Sequence, residues 1–450
     1  MQVIIPTAPK FEQIVGRQKR ADGQVYRLMT YVVQQPVDDG LLLYNTLTCS
    51  LVLLTPDEAA DLTAQQELID RWFLVPQAHD DQKLCRQVRQ MAALLTPAPK
   101  VVTTYTILPT TGCNARCFYC YEQGTKPVTM TAETASRVVR YIVAHRGDEK
   151  VTLRWFGGEP LVNAKVIDQI CTELSRQGVP FRSKMISNGY LFDADRIQRA
   201  KDLWLLQKVQ ITIDGTAQTY NSVKDYVYRG VNAFERVLQN IGQLTAAGIR
   251  VSIRLNVDKH DIGEMAELVE LLHQRFGTNE YLSVYSHELF GERAPEDNAE
   301  LFAQRMLLEQ QIAKCGYGGR KRLQKDTQLN HCMADDNGES VVIAPDGHLG
   351  KCEHYIDSEF FGHIDHEERD KAILRKFKER RADIEACATC PYYPQCYRLV
   401  MCADDFGCTP ENQREHLHKM KKGMKNEYER YLKNENVNDN ENKQDDETEI

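Results

Sequence analysis

Apolar segments alternate with amphipathic segments from about residue 103 to residue 300, and this alternation is typical of a parallel α/β fold. The predicted strands are Thr103–Leu108, Val151–Phe156, Phe181–Ser187, Val209–Asp214, Val251–Val257 and Tyr281–Tyr285. The predicted helices between them are Ala132–Arg146, Ala164–Gln177, Ala194–Leu203, Ala233–Gly248 and Gly263–Phe276. Six strand–helix units are too few to close an eight-stranded α/β barrel.

The first hundred residues have a different pattern, in which short strands come before helices. Tyr26–Gln34 and Leu41–Tyr44 are predicted to be strands. A helix is expected to begin at Thr55–Glu58, because threonine suits the N-cap, proline the first helical position and acids the first turn. A second helix is predicted over Ala64–Arg71, followed by the apolar stretch Trp72–Val75.

Composition narrows the class of protein. The chain has 450 residues, of which 42% are hydrophobic, and no apolar run approaches the roughly 20 residues that span a bilayer. The first residues lack the basic and apolar regions of a secretory signal, so we expect a cytoplasmic protein. In that compartment the fourteen cysteines are expected to be metal ligands or buried thiols rather than disulfides.

The net charge of −8 comes mostly from the end of the chain. Residues 434–450 contribute −6, with seven acids against one lysine, so the remainder is nearly neutral. This distribution does not indicate nucleic-acid binding. The acidic, asparagine-rich composition predicts a disordered tail.

Three cysteines follow the first strand of the alternating region with the spacing C-x3-C-x2-C: Cys113, Cys117 and Cys120. Three thiolates on a short loop suit a cubane iron–sulfur cluster with one open iron, because a closed cluster takes four cysteines. An incomplete zinc knuckle is the alternative. The loop, with Phe118-Tyr119 before its last cysteine, resembles that of the radical SAM superfamily, whose cluster binds S-adenosylmethionine (SAM). The resemblance implies a partial (β/α)6 barrel.

A second motif, Gly157-Gly158-Glu159-Pro160, ends the second predicted strand. Glycines let backbone groups approach a ligand closely, and the glutamate can help hold an ammonium group. Alone, the motif would be compatible with an ordinary turn. In the radical SAM superfamily the same motif binds the amino group of SAM, and its position 37 residues after Cys120 fits that role.

Polar side chains also end the next two predicted strands, and Arg254 is a charge within the strand after them. The resemblance implies that Ser187 and Asn188 face the SAM carboxylate or ribose, and that Asp214 lies near the substrate and the ribose. It also implies that Tyr119 contacts the cofactor and that Arg254 pairs with the SAM carboxylate. The alternatives are turn residues that satisfy backbone groups and, for the arginine, a structural salt bridge.

Beyond residue 300 seven more cysteines follow the pattern C-x14-G-x4-C, C-x2-C-x5-C, C, C. This resembles the SPASM domain, the C-terminal extension of peptide- and protein-modifying radical SAM enzymes, which carries two auxiliary clusters. The resemblance implies an outer 4Fe–4S cluster on Cys387, Cys390, Cys396 and Cys408, and an inner one on Cys332, Cys352 and Cys402. Where the domain usually has C-x3-C, this chain has C-x5-C, from Cys396 to Cys402. The alternatives to two auxiliary clusters are a single auxiliary cluster and a zinc-binding module.

The inner site lacks an evident fourth cysteine. Its last ligand is open between His331, an aspartate of the Asp335-Asp336 pair, the more distant Cys315 and the substrate itself. A substrate thiol bound to the open iron would have its pKa lowered, as metal-bound thiols do. The three other cysteines are expected to be buried small hydrophobic groups: Cys49, Cys85 and Cys171.

Residues 1–100 resemble the winged-helix-like peptide-recognition domain that accompanies enzymes modifying ribosomally made peptides. There an unstructured leader peptide adds as a strand to an exposed sheet edge. A structural cap over the barrel mouth is the alternative. The expected organisation is recognition domain 1–100, partial barrel 101–300, SPASM domain 301–420 and acidic disordered tail 421–450.

Together these resemblances imply a radical SAM enzyme of ribosomal-peptide (RiPP) maturation. It would reductively cleave SAM to a 5′-deoxyadenosyl radical, which takes a hydrogen atom from a precursor peptide. The expected product is a thioether between a cysteine sulfur and a carbon, with a carbon–carbon cross-link next. A flavodoxin or ferredoxin is the expected reductant, and no nucleic-acid or membrane partner is expected.

Two rival functions stay open. A formylglycine-generating sulfatase maturase also carries a seven-cysteine SPASM domain, but the first hundred residues and Glu353, where an aspartate base is expected, disfavour it. A non-catalytic peptide-binding scaffold with structural metals is disfavoured by the complete cysteine loop and the G-G-E-P motif. The segment Tyr220–Tyr226 departs from the His-Asp pair and arginine of many relatives, so their substrate contacts do not transfer directly.

Overall fold

The computed structural model describes the chain apart from residues 98, 125, 258–261, 290–297, 319–321, 328–331, 356, 403–407 and 447–450, and apart from the side chains of 298 and 434–446. Within that part, no helix combines the length and apolar character needed to cross a membrane. The order of elements follows the sequence-based expectation: an N-terminal α/β unit, a strand–helix alternation and a cysteine-rich end.

The N-terminal unit contains the first six strands and the first four helices. The strands are β1 (Gln2–Ile5), β2 (Tyr26–Leu28), β3 (Val32–Val37), β4 (Gly40–Asn45), β5 (Ser50–Leu54) and β6 (Leu74–Pro76). The helices are α1 (Pro9–Ile14), α2 (Pro56–Ala60), α3 (Gln66–Asp70) and α4 (Asp81–Leu95). The antiparallel order β1-β5-β4-β3 forms one sheet, and β2 pairs with β6.

The predicted helix start at Thr55 is confirmed as a reciprocal capping box. The Glu58 amide donates to Thr55 Oγ1 at 3.4 Å, and the Thr55 amide donates to Glu58 Oε2 at 2.9 Å. The backbone amides of Thr55 and Glu58, which have no carbonyl partner within the helix, both gain a hydrogen bond in this way. The strand β1 was not expected, because its pairing with β5 joins residues about fifty positions apart.

The barrel sheet follows the predicted alternation closely. Its parallel strands are β7 (Thr104–Ile107), β8 (Val151–Trp155), β9 (Phe181–Ser187), β10 (Leu206–Ile213), β11 (Arg250–Val257) and β12 (Leu282–Glu288). The helices are α5 (Ala132–His145), α6 (Ala164–Arg176), α7 (Ala194–Asp202), α8 (Ala217–Lys224), α9 (Ala233–Ala246) and α10 (Ile262–Phe276). Since these strands run parallel in chain order, their carboxyl ends meet at one mouth.

The cysteine-rich region continues the barrel sheet. Its elements are α11 (Asn298–Lys314), β13 (Ser340–Ile343), β14 (His348–Gly350), β15 (Phe360–His363), α12 (Lys371–Lys376) and α13 (Pro410–Asp446). Strand β13 pairs in parallel with β7, and β14 and β15 follow as antiparallel strands. The expected boundary near residue 300 is therefore not a break in the sheet.

The tail expected to be disordered from about residue 421 begins instead within helix α13. Met424 is fully buried and Tyr428 is nearly so, and both pack against side chains of the N-terminal sheet, including Val33 and Leu53. Burial of these apolar groups explains why the chain is helical here, where residues 421–428 hold three lysines against one glutamate. Helix α13 therefore packs against the N-terminal sheet, which is formed by residues far from it in the sequence.

Met424→Ala should lower the stability of the protein by about 2–5 kcal/mol, because it leaves a cavity between α13 and the N-terminal sheet. The matched control is Lys425→Ala, since Lys425 is exposed on the same helix. Thermal unfolding of both variants checks this. Equal midpoints for the two would contradict the packing of α13 on the sheet.

Candidate active site

The three cysteines of the C-x3-C-x2-C loop lie together after β7, each half-buried. Burial, together with the charges of Glu159, Cys117 and Cys120, raises the pKa of the Cys113 thiol to about 12. The Ala115 amide donates to Cys113 Sγ at 3.4 Å. Backbone N–H donors of this kind stabilise a cysteine sulfur once the thiol has lost its proton and become a ligand.

The close approach of β8 to the cysteine loop depends on two glycines. Gly157 has φ +111°, and a Cβ there would lie 2.2 Å from the Thr110 carbonyl oxygen. A Cβ on Gly158 would lie 2.5 Å from the Thr111 carbonyl oxygen. The Gly158 amide donates to the Thr110 carbonyl at 3.2 Å, and the next amide, of Glu159, donates to the Gly112 carbonyl at 3.0 Å. Only glycine permits this contact.

The Glu159 carboxylate is fully buried and links the end of β8 to the end of β9. It accepts from Ser187 Oγ at 3.0 Å, from the Asn188 amide at 2.8 Å and from the Leu161 amide at 3.1 Å. Burial raises the pKa of Glu159 to about 7 despite these donors. A buried carboxylate in this state suits a cationic ligand, which would favour its charged form.

Asparagines connect this carboxylate network to the cysteine loop. Asn188 Nδ2 donates to Asn114 Oδ1 at 2.7 Å and lies 3.8 Å from Cys113 Sγ. Asn114 is buried, and its Nδ2 has no hydrogen-bond partner among the described residues. A buried donor without a partner is costly. The mouth therefore offers both a free donor and a buried acceptor to a polar ligand.

Asp214, at the end of β10, faces the cysteine loop rather than open space. Its Oδ1 accepts from Tyr119 Oη and from Asn256 Nδ2, both at 2.9 Å. Its Oδ2 lies 2.9 Å from Lys224 Nζ. Arg254 donates through Nε to Asn256 Oδ1 at 2.9 Å. The structure thus brings Asp214, Tyr119 and Arg254 into one polar group.

Sequence reasoning missed three residues of this mouth: Asn114, Lys224 and Asn256. Asn114 sits inside the cysteine motif, and its position between two ligand candidates was a usable signal. Asn256 is one of the polar residues that alternate with apolar residues in β11, and its place at the end of that strand was also a usable signal. Lys224 ends helix α8, whose mixed sequence does not show a clear apolar stripe.

Residues 107–272 match the family model described as the radical SAM superfamily. Fe-coproporphyrin III synthase of Methanosarcina barkeri is 23% identical over 164 residues, 36% of this chain and 39% of that protein. A GTP 3′,8-cyclase of Actinobacillus pleuropneumoniae is 29% identical over 150 residues, 32% and 41% of the two chains. The chain spans about two fifths of the length of these curated relatives.

Residues 107–272 form a radical SAM domain. Two solved structures are similar in fold: anSMEcpe with bound AdoMet, with TM-score 0.53 and 16% identity, and Streptococcus suis SuiB bound to precursor peptide SuiA, with TM-score 0.50 and 11% identity. The first similarity covers 74% of this chain and 99% of anSMEcpe, and the second covers 83% and 95%. The expected partial barrel with additional domains is confirmed.

The radical SAM family implies a 4Fe–4S cluster and SAM, and the residues at the mouth fit both. Three half-buried thiols on one loop suit the cluster. The buried Glu159 carboxylate and the unpartnered Asn114 amide suit the charged and polar groups of SAM. In the described part of the chain no three His, Cys, Asp or Glu side chains are arranged to hold a single metal ion.

The seven later cysteines fall into two groups near the radical SAM domain. Burial, together with the charges of Glu353, Cys332 and Cys402, raises the pKa of Cys352 to about 12. In the other group, burial raises the pKa of Cys390, with the charges of Cys408 and Cys387 contributing, and the pKa of Cys396, with the charges of Cys390 and Cys408 contributing. These groups have the same members as the predicted inner and outer sites, whose ligand roles stay predictions.

The candidates for the last inner ligand differ in position. Asp336 is paired with the buried Lys351 at 2.5 Å, and Asp335 accepts from the Cys332 amide at 2.9 Å. Cys315 lies instead in the barrel core at the end of α11. His331 lies outside the described residues. Asp335 is thus the described candidate next to the inner cysteines. Cys49, Cys85 and Cys171 are buried, as expected.

The N-terminal unit holds the loop that carries the outer group. Arg89 of α4 donates through Nη2 to the carbonyls of Tyr393, Pro394 and Cys396, at 2.5, 3.0 and 3.0 Å. Its guanidinium carbon also lies 4.9 Å from the centroid of the Tyr393 ring. From the N-terminal sheet, Thr46 Oγ1 donates to the Pro391 carbonyl at 2.6 Å. The loop is therefore fixed from outside the cysteine-rich region.

Gly158→Ala should weaken SAM binding by the reconstituted protein and cost about 1–3 kcal/mol of stability, because the new Cβ forces the cysteine loop away from β8. Calorimetric titration with SAM and thermal unfolding check it. Gly263→Ala is the matched control, since a Cβ there meets nothing within 4 Å. Wild-type SAM affinity in Gly158→Ala would contradict the close approach.

Arg89→Ala should speed amide hydrogen exchange in residues 387–396 by roughly tenfold or more, since lost hydrogen bonds to half-buried carbonyls cost about 1–3 kcal/mol. Lys83→Ala removes an exposed cation from the same helix and should leave exchange unchanged. Mass-spectrometric exchange on the metal-free proteins makes the comparison. Equal protection in both variants would show that Arg89 does not hold the loop.

Proposed function

We propose that this chain is a radical SAM enzyme that modifies a ribosomally made precursor peptide. The observation that carries this proposal is the meeting, at one barrel mouth, of the three-cysteine loop, the Gly157–Pro160 strand end and the Ser187-Asn188 pair. Catalytic groups of α/β barrels collect at this end of the strands. The buried carboxylate and the unpartnered amide there are suited to an amino-acid-like ligand.

Each part of the mouth has a proposed role. Cys113, Cys117 and Cys120 would hold the primary cluster, and Glu159 would hold the SAM ammonium. Ser187 and Asn188 orient that carboxylate. When bound, the cluster supplies the electron that cleaves SAM to methionine and a hydrogen-abstracting radical. The protein binds and orients these groups and keeps water from the mouth.

The peptide residue to be modified would enter between the primary loop and the inner cysteine group. A cavity of about 230 Å³ lies there, lined by Tyr121 and Glu122 beside the loop and by His354 and Asp357 beyond Cys352. The rings of Tyr121 and His354 lie 4.5 Å apart. These lining residues closely follow Cys120 and Cys352 in the chain, which supports the entry of a peptide side chain near both cysteine groups.

A thioether is the proposed product. Joining a cysteine sulfur to a carbon breaks one S–H and one C–H bond and forms one C–S bond. The hydrogen of the C–H bond leaves with the SAM-derived adenosyl group, and the thiol hydrogen leaves as a proton. One electron remains, and the auxiliary clusters would accept it or bind the substrate thiol.

The N-terminal unit is proposed to recognise the leader of the precursor peptide. Its sheet has β1 and β3 as edge strands, and an extended peptide adds to such an edge through main-chain hydrogen bonds. SuiB, which is similar in fold, is solved with its precursor peptide SuiA. A flavodoxin or ferredoxin is the proposed electron donor.

A formylglycine-generating activity is the second candidate. The fold similarity to anSMEcpe, solved with AdoMet and a Cp18Cys peptide, favours it. Mass spectrometry of a modified peptide would separate the two, because a thioether retains the cysteine sulfur whereas formylglycine formation from cysteine removes it. The non-catalytic scaffold is the third candidate, and it requires that SAM is not cleaved.

Anaerobic reconstitution should load about twelve irons per chain, and about eight in the Cys113/Cys117/Cys120→Ala variant. With SAM and dithionite, only the wild type should release 5′-deoxyadenosine. Iron analysis and chromatography measure both. About eight irons falling to about four would indicate one auxiliary cluster, and stoichiometric zinc without iron would favour the scaffold. Release of 5′-deoxyadenosine by the variant would refute the proposed role of the loop.

A further inference from the structure

Lys224, the last residue of α8, is a buried cation beside the cysteine loop. Only 3% of its surface is exposed. Its Nζ donates to Tyr119 Oη at 2.9 Å and lies 2.9 Å from Asp214 Oδ2. Tyr119 Oη in turn donates to Asp214 Oδ1 at 2.9 Å. The three side chains form a closed triangle that includes the residue directly before Cys120.

The backbone around Lys224 is also bound to the loop. Its carbonyl accepts from the Arg116 amide at 2.8 Å, between the first two cysteines of the motif. Three residues later, the Val227 amide donates to the Asn114 carbonyl at 2.9 Å. The position of the ammonium group relative to the three thiols is therefore set at both main chain and side chain.

The environment keeps this lysine charged. Burial alone would lower the pKa of Lys224, but the charges of Asp214, Tyr119 and Cys117 outweigh it and hold the pKa well above its usual value. The rings of Tyr119 and Tyr220 lie 5.5 and 5.9 Å from Nζ. Aromatic faces at this distance also favour a cation. Asp214 is thus the counter-ion of Lys224.

We propose that Lys224 is a positioning residue for the primary cluster, whose charge favours the reduced state and whose contact with Tyr119 fixes the loop. The inference rests on the proposed function, because it requires a cluster on Cys113, Cys117 and Cys120. Reduction adds one negative charge at the loop. A fixed cation in a poorly hydrated site stabilises that charge more than water does.

The test is a redox titration of reconstituted full-length protein, followed by the paramagnetic signal that the Cys113/Cys117/Cys120→Ala variant lacks. Lys224→Met should lower the reduced-to-oxidised ratio at a given potential at least tenfold, which is 59 mV for one electron. Lys224→Arg retains the charge and should stay near the wild type. Lys201→Met, at an exposed site on α7, is the neutral control.

Asp214→Asn gives the opposite test. It removes the counter-ion but retains an oxygen that can accept from Tyr119, so the cluster should become easier to reduce. A residue with a purely structural role would not produce shifts of opposite sign. Full iron content with unchanged potentials in both variants would overturn the inference while leaving the proposed function intact.

Two further outcomes are decisive. If Lys224→Met does not bind iron, Asp214→Asn carries the test, because it keeps the lysine, and an unchanged or lowered potential there overturns the inference. If the wild type binds no iron, both the inference and the proposed function fail. SAM affinity measured on the same samples shows whether the loop has moved, since Lys224→Arg should retain it.

Discussion

The candidate site depends on the close backbone approach between the end of β8 and the cysteine loop. Gly157 and Gly158 bring their amides onto loop carbonyls at distances that leave no space for a Cβ. That approach places the Glu159 carboxylate under the loop, where it is cut off from water and held by Ser187 and Asn188. A larger residue at either glycine would separate the thiols from the groups proposed to bind SAM.

Contacts between segments that are distant in the sequence also hold the N-terminal unit, helix α13 and the outer cysteine loop together. Helix α13 packs Met424 and Tyr428 on the N-terminal sheet. Arg89 and Thr46 of the N-terminal unit bind the carbonyls of the loop around Tyr393. The unit proposed to recognise peptides is therefore also a support for the outer cysteine group. A shift of the N-terminal sheet would therefore move the loop that carries the outer cysteine group, because these hydrogen bonds connect the two.

The sequence predicted the barrel well because buried apolar residues recur regularly along its strands, and the observed bounds of β9, Phe181–Ser187, are the predicted ones. The cysteine loop was also predictable, since its chemistry is local. Long-range pairing was not: β1 meets β5 across about fifty residues, and Lys224 reaches Asp214 only through the fold. The acidic residues from 434 on led to the prediction of a disordered tail from residue 421, although the helical spacing of apolar residues before them was a usable signal: Leu417, Met420, Met424, Tyr428 and Leu432.

The sheet itself sets the separation between the two cysteine regions. Strand β13 pairs in parallel with β7, so the carboxyl ends of both strands lie on the same side. Strand β7 leads into the primary loop, whereas β14 follows β13 and runs back antiparallel to it before Cys352. The ring of Tyr121, which follows Cys120, contacts the ring of His354, which lies two residues after Cys352. Hydrogen-bonded strands rather than a flexible linker therefore join the two regions, and this pairing limits how far one cysteine region can move relative to the other.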